Sequence, residues 1–369
     1  MRRNIISSHF SEILLIALLL ANCNSPRPTP TSTLAAPVLQ VTSQPEPSPP
    51  PPTQDPPPPT PPPHRVGVIA PGGDAGDYSP PALVLEALQF FKSQYGWTVE
   101  SGDLPDLERL AASGAQIVVT VNTGLSVQNV AARHPEVEFV VVDEAELEDL
   151  PNILAIGGET SREDQAGFIA GVLAGLATQE LSVGVLADPT DPIGRMYLNG
   201  FIHGVRYSCP DCTITDQAIS ESQVREEAQA AARELFNRVS LDVAFAQPGQ
   251  AGEAALHWLA QQQIWVIGAG GDIFLRSFKT GALPGSDRVL TSVVFRPDLA
   301  LLDVLPALAA GQPVEGPIPY TLTSGLIAFA PSRVDLLSPA GHTFLDRALS
   351  LVASGELDTG VDPITGEER

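Results

Sequence analysis

From residue 65 onward, short apolar segments alternate with longer helix-like segments. Arg65–Ala70, Gln116–Val121 and Glu138–Val142 are rich in valine and isoleucine, which is typical of buried strands. Pro81–Tyr95 and Arg162–Thr178 are predicted helices. Buried strands that alternate with helices predict right-handed βαβ units, and therefore an α/β fold with parallel sheets.

The alternation restarts at Ser182–Leu186, a segment that resembles the first strand in composition. Two such runs in tandem predict two similar lobes, each a parallel sheet flanked by helices. We expect the first lobe at residues 65–180 and the second at 181–295. The rest of the chain should divide between them, with a return segment of the first lobe at about 296–335 and a tail helix of the second at about 336–369.

Polar, glycine-rich loops follow six of the predicted strands. They lie at residues 71–81, 122–124, 143, 188–192, 247–252 and 268–272. Ligands of parallel α/β sheets bind beyond the carboxyl ends of the strands, where such loops lead into helices. Turn formation alone explains any single loop. Six loops at one edge favour a cleft for a polar, uncharged or cationic small molecule.

The loop after the first strand predicts a helix start. Ser79 suits an N-cap and the proline after it suits the first helical position. Asp77 and Tyr78 then lie at the mouth of the cleft, where the tyrosine either stacks on a flat ligand or packs on the surface. The candidate ligand-binding residues of these loops are Asp77, Tyr78, Ser79, Asn122, Asp143, Gly249 and Asp272.

Gly167, Gly171 and Gly175 recur every four residues within one predicted helix. In a membrane span this spacing would mark a helix-packing face, but the apolar run here is too short to cross a bilayer. The spacing therefore predicts a tightly packed helix of the folded part.

Residues 1–23 have the pattern of an export signal. Two arginines follow Met1, Ile13–Ala21 is a short apolar run, and Cys23 comes directly after that run and Asn22. A cysteine at this position resembles the bacterial lipobox, in which cleavage leaves a lipidated cysteine as the first residue. Asn22 departs from the small residue usual before it. An ordinary secretory signal and an uncleaved membrane anchor are the alternatives.

Residues 24–64 form a linker before the folded part. Of the 36 prolines in the chain, 17 fall within residues 24–63, which predicts extended polyproline II structure. Such a segment is a semi-rigid spacer of ~3 Å per residue, able to hold a folded body away from a membrane. The alternative is a proline-rich ligand for a peptide-binding protein.

The net charge and the cysteines argue against several classes of partner and of site. The formal charge of −23 argues against nucleic acid as a partner and against adhesion to anionic lipids. Cys209 and Cys212 favour a local disulfide over a redox motif in an exported protein, and a zinc site needs more ligands than this pair. Catalytic and metal-binding motifs are missing from the sequence, so we expect no enzyme activity, no metal and no cofactor.

Six short segments occur in the order of the motifs of one known family. They are Gly76–Ser79, Phe139–Asp143, Gly167–Gly171, Asn199–Gly204, Asp242–Phe245 and Thr291–Val293. Together they resemble the basic membrane lipoprotein family of ABC-transporter substrate-binding proteins, of the purine-nucleoside receptor type. The resemblance adds Phe201, in the fourth segment, to the candidate ligand-binding residues.

The resemblance implies a two-lobe periplasmic-binding-protein-like fold of type I, whose lobes close over a ligand for delivery to a membrane permease. Pro80-Pro81 and Phe295-Arg296 replace residues that the family uses around nucleosides. The ligand class therefore stays open between a nucleoside and another polar solute.

The sequence thus predicts a lipid-anchored solute-binding protein of an ABC importer, on the extracytoplasmic face of the cell membrane. Its expected partners are a small-molecule ligand, an ABC permease and the membrane through the lipid. Ligand contact with both lobes would favour the closed state. A sensory lipoprotein that reports to a receptor, and an enzyme on the same fold, are the alternatives.

Overall fold

The computed structural model describes residues 64–72, 76–124, 126–144, 147, 150–220 and 222–369. The predicted signal peptide, Cys23 and almost all of the proline-rich linker lie outside the described residues. All described residues fall within one compact unit, Thr60–Arg369.

Strands from the first half of the chain form the first sheet. They are Arg65–Ile69 (β1), Thr98–Ser101 (β2), Ile117–Val121 (β3), Glu138–Val142 (β4) and Ile153–Ile156 (β5). Their order in the sheet is β2-β1-β3-β4-β5, and every neighbouring pair is parallel. The central strands β3 and β4 are buried almost throughout, as valine-rich strands covered on both faces should be.

Strands from the second half form the second sheet. They are Ser182–Ala187 (β6), Thr213–Ala218 (β7), Val243–Ala246 (β8), Trp265–Ala269 (β9), Val289–Phe295 (β10) and Ile327–Phe329 (β11). The order is β11-β10-β9-β8-β6-β7, and the pairs are parallel except β10 with β11. The predicted α/β class with two parallel sheets is confirmed, and the antiparallel edge strand is an addition to it.

Helices cover both sheets. They are Pro80–Tyr95 (α1), Leu107–Ala112 (α2), Ser126–Ala131 (α3), Glu163–Ala177 (α4), Pro192–Ser208 (α5), Arg225–Arg238 (α6), Gln250–Gln261 (α7), Ile273–Arg276 (α8), Pro297–Ala309 (α9) and Pro339–Ser354 (α10). α1 begins as expected, because Ser79 is extended and two prolines open the helix. In the described part of the chain, no helix combines the length and apolar character needed to span a bilayer.

Two segments pack differently from the expected lobe division. The sequence placed α4 in the first lobe, up to residue 180, but α4 packs along α5 and on β8 of the second sheet. The expected return segment at 296–335 is divided, because α9 packs on α1 whereas β11 joins the second sheet. Within the described residues the chain therefore crosses between the sheets three times, and the lobe boundaries beyond these contacts stay a prediction.

Backbone contact between α4 and α5 explains the glycine repeat. A Cβ atom at Gly171 would overlap the carbonyl oxygen of Phe201, and one at Gly204 would overlap the carbonyl oxygen of Phe168. Glycine is thus required on both helices, because no side chain fits between the two backbones. The predicted tight packing of this helix is confirmed.

We expect Gly171→Ala to lower the free energy of unfolding by ~1–3 kcal/mol, because the added methyl group forces α4 and α5 apart. Chemical denaturation of the folded part measures this change. The control is Gly341→Ala in α10, where a Cβ would lie 3.4 Å from the Cβ of Leu337, an ordinary contact. Alanine favours the helix there, so stability should stay level or rise slightly. Equal effects of the two substitutions would contradict the close packing.

Candidate ligand-binding site

Three crossing segments, residues 157–162, 295–297 and 318–326, connect the two sheets. Backbone amides of one segment donate to carbonyl oxygens of another. The Gly157 amide donates to Ile318 over 2.8 Å, the Arg162 amide to Tyr320 over 2.9 Å and the Arg296 amide to Leu326 over 3.0 Å. The segments therefore form one hydrogen-bonded bundle beside the carboxyl ends of the strands.

A cavity of about 450 Å³ lies next to these crossings, and we call it the cleft cavity. Its lining residues are Pro71, Gly72, Ser79, Pro80, Pro81, Asn122, Asp143, Gly158, Glu159, Glu163, Ile193, Tyr197, Pro248, Gly270, Arg276 and Phe295. They come from loops after strands of both sheets, from the crossings and from the helices α1, α4, α5 and α8. This is the position in which parallel α/β folds bind ligands, and the volume is that of a small-molecule site.

Three of the predicted site residues line the cleft cavity: Ser79, Asn122 and Asp143. Ser79 starts α1, whereas Asn122 and Asp143 directly follow β3 and β4. Asn122 and Asp143 both adopt left-handed backbone angles, with φ of 50° and 55°. Asparagine and aspartate tolerate this conformation better than most residues.

Asp77 and Asp272 lie close together, as expected of two facing loops, but neither lines the cavity. The backbone amide of Asp272 donates to the carbonyl oxygen of Asp77 over 2.8 Å. The carboxylate of Asp77 accepts from the Ser79 amide at 2.8 Å, and that of Asp272 pairs with Arg333 at 2.6 Å. Their side chains thus hold the two loops in place.

Tyr78, Gly249 and Phe201 also lie outside the lining. Tyr78 is half-buried in a left-handed conformation, and Gly249 precedes α7 while its neighbour Pro248 lines the cavity. Phe201 is fully buried, and its ring stacks on Phe245 with centroids 5.3 Å apart. Because the glycines beside Phe201 serve the contact of α4 with α5, its motif is a packing feature. We leave Phe201 out of the proposed site.

Sequence reasoning did not select Glu163, Tyr197, Arg276 or Phe295, all of which line the cavity. Phe295 ends β10, so the rule that ligands bind beyond strand ends could have found it. The ring of Phe295 stacks on Tyr320, with centroids 4.6 Å apart and planes 9° apart. Glu163 starts α4 and Tyr197 lies on α5, so their positions depend on how these two helices pack.

Two carboxyl groups in the cavity have strongly shifted pKa values. The pKa of Asp143 is raised to about 7, because burial, together with the charge of Glu144, outweighs the opposing effect of the nearby Tyr320 hydroxyl. The pKa of Glu163 is likewise raised to about 7, mainly by burial and also by the charge of Asp143. Near neutral pH both groups therefore exchange between neutral and charged forms.

A second cavity, of about 460 Å³, lies beside β5. Leu150, Leu154, Val314 and Pro317 are among its lining residues, so it follows the outer edge of the first sheet. None of the described residues that line it comes from the strand ends of the second sheet. The cleft cavity is therefore the better candidate for a ligand that holds two lobes together.

The remaining sequence expectations concern the cysteines and metals. The sulfur atoms of Cys209 and Cys212 are bonded, with Cα atoms 5.4 Å apart, at the end of α5. Whether the exported protein carries this disulfide stays a prediction. Among the described residues, no group of three or more His, Cys, Asp or Glu side chains is arranged to hold a metal ion.

Solved structures share this fold. A solute-binding protein of an ABC transporter system from Conexibacter woesei covers 80% of this chain and 98% of its own, at 20% identity and a TM-score of 0.63. A transcriptional activator of the comK gene from Bacillus halodurans covers 80% and 99%, at 18% identity and the same TM-score. The predicted periplasmic-binding-protein-like fold is thus confirmed, and fold likeness alone does not separate transport from regulation.

Comparisons of the sequence with a curated relative and with a family model identify the family of this chain. The CD4+ T-cell-stimulating antigen of Listeria monocytogenes is 25% identical over 196 residues, which are 51% of this chain and 53% of the antigen. The chain thus spans about half the length of the curated relatives it matches. Residues 85–336, more than half of the chain, match a family described as Bmp, ABC transporter substrate-binding protein PnrA-like. The resemblance found in the sequence motifs is therefore confirmed, and this chain belongs to the Bmp family of PnrA-like substrate-binding proteins.

Proposed function

We propose that this chain is the lipid-anchored solute-binding protein of an ABC importer and captures a small polar ligand outside the cytoplasm. The observation that carries the proposal is the cleft cavity, whose walls come from both sheets. Ser79 and Asn122 belong to loops of the first sheet, and Pro248 and Gly270 to loops of the second. A ligand there contacts both lobes and stabilises their closed arrangement.

The family supports this role, because its members are described as substrate-binding proteins, which is not an enzymatic role. A nucleoside is one candidate ligand, since Phe295 offers a ring face for a base and Asn122 and Asp143 offer hydrogen-bond partners for hydroxyl groups. Transfer of the ligand to a permease would follow opening of the cleft. Mass spectrometry of small molecules that co-purify with residues 64–369 identifies the natural ligand.

We expect Asn122→Gly to weaken binding of the co-purified ligand by ~1–3 kcal/mol, because it removes a polar side chain from the cavity wall. Glycine preserves the left-handed backbone at this position. Lys279→Gly is the matched control, since Lys279 is exposed, has a φ of 48° and does not line the cavity. Isothermal titration calorimetry compares the two. Wild-type affinity in Asn122→Gly, or no ligand at all, would contradict the proposed site.

Cys23→Ala tests the proposed anchor. Loss of the acylated cysteine removes the lipid, so the protein should move from the membrane fraction to the exported soluble fraction. Cell fractionation and mass spectrometry of the N-terminal peptide measure this. Membrane attachment that survives the substitution, with no acyl group on the wild-type cysteine, would rule out the lipid anchor.

A further inference from the structure

The cleft cavity contains more carboxyl groups than cationic groups. Asp143 and Glu163 are among its lining residues, whereas Arg276 is the one lysine or arginine among the described residues that line it. The guanidinium of Arg276 is already shared: Nη2 lies 3.3 Å from Glu253 and Nε lies 3.8 Å from the carboxylate of Asp77. Arg276 therefore pairs with Asp77 and Glu253, and not with Asp143 or Glu163.

Arg162, the cationic residue next to Glu163, also forms its ion pair with another residue. Arg162 forms a two-pronged ion pair with Asp164, at 2.7 Å for both contacts, and does not pair with Glu163. The charged groups around Glu163 are then Asp143, Asp164 and this occupied arginine. The charged groups around Asp143 are Glu144 and Glu163. The buried hydroxyl of Tyr320 lies beside Asp143, and the buried Tyr197 lies near both carboxyl groups. Negative groups thus dominate this end of the cavity.

An aromatic wall adjoins the two carboxyl groups. Phe295 lines the cavity, and its ring rests on Tyr320. The Tyr320 hydroxyl is buried beside Asp143 and lowers the pKa of its carboxyl group, so it favours the charged form of Asp143. Aromatic faces attract cations. The Phe295 ring therefore suits a ligand with a positively charged group.

We propose that the ligand is a small organic cation, whose protonated amine or guanidinium group binds between Asp143 and Glu163 while its apolar or flat part contacts Phe295. This inference rests on the proposed function, because it takes the cleft cavity as the ligand site. Carboxylates accept the N–H groups of such a cation in charge-assisted hydrogen bonds. An anionic ligand would be repelled by the same groups.

Calorimetric titration of the wild-type folded part, residues 64–369, tests the inference with four probes. Agmatine and tyramine are the cations, and guanosine and glucose are the neutral compounds. We expect binding of at least one cation and weaker or undetectable binding of the neutral pair. Glu163→Gln should reduce cation affinity tenfold or more. Glu234→Gln, on the exposed face of α6, should leave it unchanged.

The pH dependence provides a second readout. At pH 6 both carboxyl groups are mostly protonated without ligand, so the binding of a cation requires proton release. Affinity for agmatine should therefore rise from pH 6 to pH 8, by about tenfold for each carboxyl group that ionises. Glu163→Gln should reduce this slope.

The stability of the ligand-free protein should fall as pH rises, whereas its affinity for a cation should rise. The pKa values of Asp143 and Glu163 are raised above their ordinary range, so the folded state binds more protons than the unfolded state between about pH 4 and 7. Their contribution to stability is thus lost as pH rises through that window. Melting temperatures from pH 5 to 8 should fall less in Glu163→Gln than in wild type.

Two results would overturn the inference in different ways. If guanosine or glucose binds in an Asn122-dependent manner while neither amine binds, the cavity is a ligand site for a neutral solute and only the cation assignment fails. If none of the probes binds and no small molecule co-purifies, the proposed function fails with it.

Discussion

The crossing after β5 is the constraint on which the candidate site depends. Gly157 and Gly158 both have left-handed backbone angles, with φ of 79° and 77°. A Cβ atom at the first would collide with the Tyr320 ring and the Asp143 carboxylate, and one at the second with the carbonyl oxygen of Glu144. Two glycines thus let the chain leave the first sheet directly beneath the cavity, with Asp143 and Tyr320 packed against it.

Each of the two helices that follow a crossing is preceded by an arginine that pairs with an aspartate two residues later. Arg162 precedes α4 and pairs with Asp164, and Arg296 precedes α9 and pairs with Asp298 through contacts of 2.6 and 2.8 Å. The backbone angles of the two arginines agree closely, at φ −109°, ψ 66° and φ −120°, ψ 64°. In each case the residue after the arginine starts the helix, which places Glu163 at the cavity.

Local pattern predicted most of the fold, because strands and helices depend on nearby residues. It also selected Ser79, Asn122 and Asp143, which line the cleft cavity, since residues after parallel strands meet at one edge of a sheet. Glu163 and Tyr197 were not predictable in this way, because their places depend on the packing of α4 against α5.

Packing motifs and binding motifs also look alike in a sequence. The glycines around Phe201 serve helix contact, so the phenylalanine between them lies in the core and not in the cavity. Likewise, periodicity shows that α4 is a helix, but it does not show which sheet the helix covers. To place the end of the first lobe at residue 180, one has to know which sheet α4 covers, and the sequence pattern does not give this.

The central claim is that the natural ligand lies in the cleft cavity, in contact with residues of both sheets. A crystal structure of the protein purified with its natural ligand tests this most directly. We predict ligand density against Phe295, with polar contacts to Asp143 and Glu163. Ligand bound instead in the cavity beside β5, or in contact with only one sheet, would contradict the account.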